Sequence, residues 1–461
     1  MNYVLLVNKN KKVKDDFSKK FKFILCKNIR DEDIYVEEKS FAAYQNLRNY
    51  LKSINIDIGI DTAYRSFEEQ EQVIKTYLEK YGEDYTKNYV AEVSTSEHHT
   101  GLAIDISVKE NDKYLSEKEE LEKDYLFSEI HKVLHNFGFI LRYGKEKEAI
   151  TKYSYEPWHI RYVGVIPATI MYQNNLSLEE YLDNFSGVLV VNKNSGVTSR
   201  NVVNKISNIL GIKKIGHTGT LDPLASGVLI LTIGKATKLG ELLTSLEKEY
   251  ITTIKQGVMT DTLDVTGNII DEKEVVDFDY DKLLRSFEKT YLQEVPKYSA
   301  VKVNGKKLYE YARENISVDI PSKMVTIKKL ELLDKNEFKV KCLVSKGTYI
   351  RSLIRDMGAS INSYFIMSSL VRTKQGDFSI DESYTIDDIL NNDFKILSID
   401  EVLSNYKTIV VEDELLKKIN NGVKIKNIYN SDLVLFKDKN NKIIALYKED
   451  NGYLKMFKYL K

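Results

Sequence analysis

Long apolar runs, an export signal and a cysteine framework are what this 461-residue sequence does without. No stretch reaches the roughly 18 apolar residues that a membrane-spanning helix needs, so no segment is expected to cross a bilayer. The N-terminus, MNYVLLVNKNKKVKDDF, turns polar after about five apolar residues, too few for a signal-peptide core. Cys26 and Cys342 lie in opposite halves, inside apolar strand-like runs. They read as buried thiols of a reducing compartment, which makes the cytoplasm the expected location. Net charge is missing as well, with 68 Lys and Arg against 68 Asp and Glu. That zero conceals an asymmetry: 26 basic and 32 acidic residues before position 186, then 42 and 36 after it. A mildly basic second part suits a polyanionic partner without requiring one.

What is present is an ordinary globular composition, 43% hydrophobic and 30% charged, on a chain too long for one core. Two or three domains are expected. The run VLLVNKN at Val4–Asn10 is nearly repeated as VLVVNKN at Val188–Asn194, but the sequences that follow, KKVKDDF and SGVTSRN, do not correspond. No duplication is required; each run reads as a strand opening its own domain. Helical periodicity marks EKSFAAYQNLRNYLKSI, SFEEQEQVIKTYLEKYG behind Ser66, and LFSEIHKVLHNFGF up to Gly138, whereas GLAIDISV alternates as a strand. Residues 166–186 read as a helix and connector without Gly/Ser-rich slack. The second domain opens at about Ser186, and a short strand-rich tail begins near 381.

Five of the six histidines (His98, His99, His131, His135 and His159) fall in the acidic part, leaving His217 alone in the basic one. Three strings there carry chemistry: AYRSFEEQ (63–70), SEHHTGLAID (96–105) and EPWHIRYVG (156–164). His98, Asp105 and His159 would offer two imidazole nitrogens and a carboxylate oxygen, a set that leaves tetrahedral zinc one open position for a water nucleophile. Glu156 is placed to take that water's proton, and Pro157 disfavours a continuous helix through the pair. His131 and His135, four apart on a helix, could also chelate, but nothing supplies a third ligand or a base.

The pattern S-x-H-x-x-G-x-A-x-D followed by E-x-W-H resembles the VanY-type zinc D-Ala-D-Ala carboxypeptidases over about residues 3–165. The resemblance implies His98, Asp105 and His159 as zinc ligands, Glu156 as general base, and Arg65 as the cation facing the developing oxyanion. Ser96 and Gln70 match positions near the substrate, a D-Ala-D-Ala-terminated peptide or dipeptide. Ala63 stands where glycine is common.

In the basic part, KKIGHTGTLDPLASGVLILTIGKATK (213–238) holds a loop punctuated by Gly216, Gly219 and Pro223 that can present Asp222 at a pocket mouth. Alone, Asp-Pro marks a turn more often than a catalytic acid. Together with KEY (248–250), VPKYSAVKVNGKKLYEYAR (295–313), SKGTYIRSLIRDMG (345–358) and LVRTKQGDF (370–378), the string resembles TruB-type tRNA pseudouridine synthases over about residues 187–380.

That resemblance implies isomerisation of the T-loop uridine at tRNA position 55 without a cofactor, the target base leaving its stack first. Asp222 would be the catalytic carboxylate acting on the ribose as nucleophile or base, and Arg351 its orienting ion-pair partner. Tyr250 would stack on the flipped base, His217 and Tyr349 would contact RNA or ribose, and Leu370 would line the pocket. Asn194 and Val371 replace a usual proline and arginine.

The expected architecture is therefore α+β and multidomain. It comprises a VanY-like zinc D,D-peptidase domain (1–165), a connector (166–186), a synthase domain with a large, mostly antiparallel sheet (187–380), and a small β-rich PUA-like domain (381–461). The expected partners are the tRNA T-arm and a D-Ala-D-Ala-terminated peptide, with no membrane and a monomeric state. A rival reading makes the chain an RNA-binding or tRNA-chaperone protein with a non-catalytic, metal-binding recognition module.

Overall fold

The computed structural model describes residues 3–14, 17 and 20–461. Contacts divide the chain into two units: Met1–Phe185 with Ile206–Lys213, and Ser186–Lys205 with Lys214–Lys461. Among the described residues, no helix is long and apolar enough to cross a membrane.

The first unit is built on a five-stranded antiparallel sheet. Its main path runs Ile58–Thr62, Ala103–Glu110, His159–Tyr162, Phe139–Leu141, and Lys113–Tyr114 pairs with the second of these. Alternation in AIDISV buries Ile104 and Ile106 against Leu47 and Leu51 of the helix Glu38–Ser53, all at 4% exposure or less. Burying each such side chain contributes about 1.5–3 kcal/mol. The helix Phe67–Tyr81 begins where expected, with Ser66 and Glu69 forming a reciprocal capping box. Two helices, Val165–Gln173 and Leu178–Asn184, close the unit.

Two expectations change here. Among the described residues the run at Val4 forms no strand; an isolated bridge joins Asn8 to Lys11. The carbonyls of Tyr3 and Leu5 accept instead from Arg161 Nη2, at 3.2 and 2.8 Å, so a side chain replaces a ladder. Cys26 is only partly buried, on the hairpin Phe23–Lys27/Asp33–Glu37, while Cys342 is buried as expected.

The second unit carries a nine-stranded mixed sheet. Its path runs Thr290–Glu294, Ser322–Asp334, Lys339–Val344, Lys248–Gln256, Phe365–Gln375, Ser226–Ile233, Gly187–Lys193. Every pairing is antiparallel except one: Ser226 and Gly227 run parallel to Val371 and Arg372. VLVV and VLILTI are apolar on both faces because both faces of these strands are covered. A smaller five-stranded sheet between Lys407 and Tyr459 follows, and its Leu435 and Leu446 share a core with Val188, Val190, Val228 and Ile230.

Candidate active sites

The metal-binding candidate is assembled by strand register. Asp105 and His159 are direct partners on neighbouring antiparallel strands, which brings residues 54 apart in sequence onto one spot. His98 arrives from a short 3₁₀ turn, Glu97–Thr100, whose first N–H groups are capped by Ser96 Oγ. The turn ends at Gly101, with φ +69°, where a Cβ would stand 2.3 Å from the Phe23 ring; only glycine fits. One donor atom from each of His98, Asp105 and His159 lies within 4.8 Å of the others.

His98 Nδ1 donates to the Ala63 carbonyl at 2.7 Å, so its Nε2 lone pair faces Asp105 Oδ2 at 3.2 Å. His159 Nδ1 stands 2.9 Å from Asp105 Oδ1, an ion pair whose geometry makes no aligned hydrogen bond. Two imidazoles and a carboxylate converging on one spot are a donor set that fits a zinc ion, which would displace the proton held between His159 and Asp105. Burial works against the charge of Asp105, but the two imidazoles hold its carboxyl well below the usual range. Burial likewise opposes charge on His159, yet Asp105 pushes it up to about 10.

Glu156 Oε2 sits 3.6 Å from His159 Nδ1, and burial pushes the Glu156 carboxyl up to about 7, a range suited to a general base. Arg65 Nη1 donates to Gln70 Oε1 at 2.9 Å, and Gln70 Nε2 donates to the Ala91 carbonyl. Gln70 and Ser96, expected near the substrate, are 1% and 4% exposed and are occupied in holding Arg65 and the His98 turn. His99 braces the same region by donating to the Arg65 carbonyl at 2.7 Å. His131 and His135 are not part of a ligand set: His131 bonds to the Pro157 carbonyl at 2.9 Å, and His135 stacks on Tyr172.

The second constellation centres on Asp222. Its loop is tied to the segment after Gly187–Lys193: the Gly196 amide donates to the Pro223 carbonyl, and Ser199 Oγ bonds both the amide and carbonyl of Leu221. Behind it, Arg372 is buried, with Nε donating to the Val228 carbonyl and Nη2 to that of Gly219. A Cβ on Gly227, at φ +97°, would stand 2.2 Å from the Arg372 carbonyl, so the parallel strand crossing requires glycine.

Asp222 itself is about a third exposed, its side chain at 35%. Its Oδ2 meets Arg351 Nη2 at 2.9 Å. Arg351 opens the helix Ile350–Ser360 and also donates to the Thr262 and Tyr298 carbonyls at 2.8 and 2.9 Å, with Asp264 Oδ2 at 3.9 Å. A guanidinium with three acceptors and a second carboxylate beside it has one available pose, and Asp222 inherits it.

Lys193 is fully buried, its Nζ bonding three backbone carbonyls including that of Pro223; burial pulls its ammonium down to about 8 despite the pull of Asp222. Tyr250 and Leu370 are each 7% exposed on adjacent strands, Tyr250 opposite Arg372. His217 is half-buried on the short strand Ile215–His217, and Tyr349 caps the Arg351 helix, its amide donating to Gln293. Sequence reasoning missed Lys193, Arg372, Asp264 and Glu97. The available signal was a charged residue inside an apolar strand run, as in VLVVNK, because full burial of such a group demands a partner.

Residues 207–350 match the family described as TruB family pseudouridylate synthase, N-terminal domain. The chain is 37% identical over 276 residues to tRNA pseudouridine synthase B of Mesoplasma florum, spanning 58% of this chain and 96% of that protein. The chain belongs to the tRNA pseudouridine synthase B family. Another member, from Caldanaerobacter subterraneus subsp. tengcongensis, is 42% identical over 259 residues, covering 54% of this chain and 90% of its own. Asp222 and Tyr250 lie inside the matched stretch 207–350, and Arg351 follows it directly.

Residues 33–165 match a second family, described as D-alanyl-D-alanine carboxypeptidase. A mutant of the vancomycin resistance D,D-pentapeptidase VanY, solved in complex with Zn(II), is similar at 26% identity, covering 39% of this chain and 98% of that one, with a TM-score of 0.33.

Proposed function

We propose that this tRNA pseudouridine synthase B family member isomerises the T-loop uridine at tRNA position 55, and that its first unit is a zinc D-alanyl-D-alanine carboxypeptidase. The observation that carries the synthase reading is Asp222, partly exposed on its loop and fixed by a buried arginine. In the reaction, Asp222 acts on the ribose of a flipped uridine: the C1′–N1 bond breaks, the detached base turns while held in the pocket, C5 bonds to C1′, and the C5 proton is lost. Arg351 keeps the carboxylate aimed, Tyr250 offers a ring to stack on the base, and Leu370 closes the pocket wall. His217 and Tyr349 contact the RNA or ribose, and no cofactor takes part. The C-terminal sheet serves as a PUA-like appendage whose exposed Lys407, Lys417, Lys418, Lys424 and Lys426 meet backbone phosphates. A tRNA substrate fits a cytoplasmic location.

In the peptidase reaction, His98, Asp105 and His159 would hold the zinc. When bound, the ion lowers the pKa of a water and polarises the scissile carbonyl. Glu156 takes the attacking water's proton and delivers it to the leaving D-alanine. Arg65, held by Gln70, faces the oxygen that becomes negative. The substrate is a D-Ala-D-Ala-terminated peptide or the free dipeptide.

A paired assay on the full chain tests both halves: D-alanine release from a D-Ala-D-Ala-terminated peptide, and pseudouridine formation in a tRNA transcript. Removing zinc by chelation is expected to stop the first and leave the second untouched. D-alanine release that survives complete chelation would sink the zinc reading.

Replacing Arg351 by Met should slow pseudouridine formation at least about 10²-fold, the scale of losing a fixed reactive geometry, while tRNA binding persists. Equal loss of tRNA affinity and turnover would assign Arg351 to RNA binding instead.

A further inference from the structure

A chain of buried charges runs away from the metal site. Glu97, next to His98 in sequence, is fully buried and has its Oε2 3.8 Å from His159 Nε2, the ring nitrogen turned away from Asp105. Glu97 Oε1 takes two arginines, Arg142 Nε at 2.9 Å and Arg161 Nη1 at 2.7 Å, and all three side chains are 0% exposed. Arg142 then turns its other two nitrogens onto Glu179 in a bidentate fork, at 2.9 and 2.7 Å. Asn8 Nδ2 closes the row with a bond to Glu179 Oε1 at 3.1 Å.

Two carboxylates and two guanidinium groups cancel, and the cancellation depends on Glu179. That residue lies outside the matched carboxypeptidase stretch, on the helix Leu178–Asn184 that ends one residue before Phe185. A merely structural ion pair would not need to continue to a ligand. Here each guanidinium that fixes Glu97 also fixes the carboxylate beside His159 Nε2, and outer groups of this kind set the orientation and donor strength of a metal-binding imidazole.

We propose that Glu179 is a positioning residue of the metal site, acting on His159 through Arg142 and Glu97, so that the connector helix is part of the peptidase machinery. The proposal rests on the reading of His98, Asp105 and His159 as zinc ligands. Removing the Glu179 charge leaves a net positive charge buried behind His159 and frees Arg142 to draw Glu97 away from the ring.

The test uses the full-length protein, with zinc affinity measured by competition against a chromophoric chelator and the visible spectrum recorded after cobalt(II) loading. Glu179→Gln is expected to weaken zinc about 10- to 100-fold and shift the cobalt spectrum. Glu179→Asp, which keeps the charge, should stay within about threefold of wild type on the same scale of outer-group effects. Pseudouridine formation by the same samples reports that the rest of the chain is intact.

Should Glu179→Gln fail to fold, Arg142→Lys takes its place, since one ammonium keeps the charge but cannot span both carboxylates. Unchanged zinc affinity and an unchanged cobalt spectrum in the folded variant overturn the proposal, even with a lowered melting temperature. A wild-type chain that binds no zinc would instead overturn the ligand reading beneath it.

Discussion

Asp222→Asn is expected to abolish pseudouridine formation, by about 10³-fold or more, while leaving tRNA affinity and D-alanine release at wild-type levels. The substitution is nearly isosteric, so the loop held by Ser199, Gly196 and Lys193 has no reason to move. What changes is chemistry: an amide neither attacks nor takes a proton at the ribose, and losing a positioned acid-base or nucleophilic group costs about 10²–10⁴-fold or more. The neutral amide also gives up the charge that meets Arg351, though its oxygen can still accept from Nη2. Modified-nucleoside analysis of tRNA after incubation with wild type and variant decides the matter. Persisting pseudouridine at even a tenth of the wild-type rate would remove Asp222 from the reaction, whereas phenotypic rescue in cells by a variant that binds tRNA but forms no pseudouridine would favour the RNA-chaperone reading.

Glu156→Gln carries the second large effect. D-alanine release should fall about 10²–10⁴-fold because the water loses its proton acceptor. Zinc content should stay at one ion per chain, since the three donors lie elsewhere and Glu156 stands 3.6 Å from the His159 nitrogen. Measuring bound metal beside turnover separates the roles. Simultaneous loss of zinc would make Glu156 a ligand, and unchanged turnover would leave the site without its base.

How far these sites could be read from the chain differs residue by residue. The helix behind Ser66 and the strand GLAIDISV announce themselves through a capping pair and strict alternation, and both occur as expected. The His98, Asp105 and His159 trio could be named from spacing. That Asp105 and His159 are cross-strand partners is a matter of register, which depends on which sheet face is buried, and no local pattern encodes it. Local pattern also misled at Val4. A run of apolar residues reads as a strand, but its carbonyls found the Arg161 side chain, a partner 156 residues from Leu5. The mixed character of the large sheet was hidden similarly, because one short parallel pairing between Ser226 and Val371 leaves no mark on either strand's composition. Gln70 and Ser96 show the limit of motif transfer: position in a motif says that a residue is near the chemistry, while burial and bonding say what it holds.

The single parallel pairing at Gly227 also sets an order of events during synthesis. The metal site and its outermost support need nothing beyond Glu179, whereas the Asp222 loop is backed by Arg372 and Gln375. At the usual elongation rates of about 5–20 residues per second, those last supports leave the ribosome roughly 10–40 s after Glu179. The nascent chain can therefore hold the assembled His98, Asp105 and His159 cluster while Asp222 still lacks its backing, and the two candidate sites of one polypeptide come of age separately.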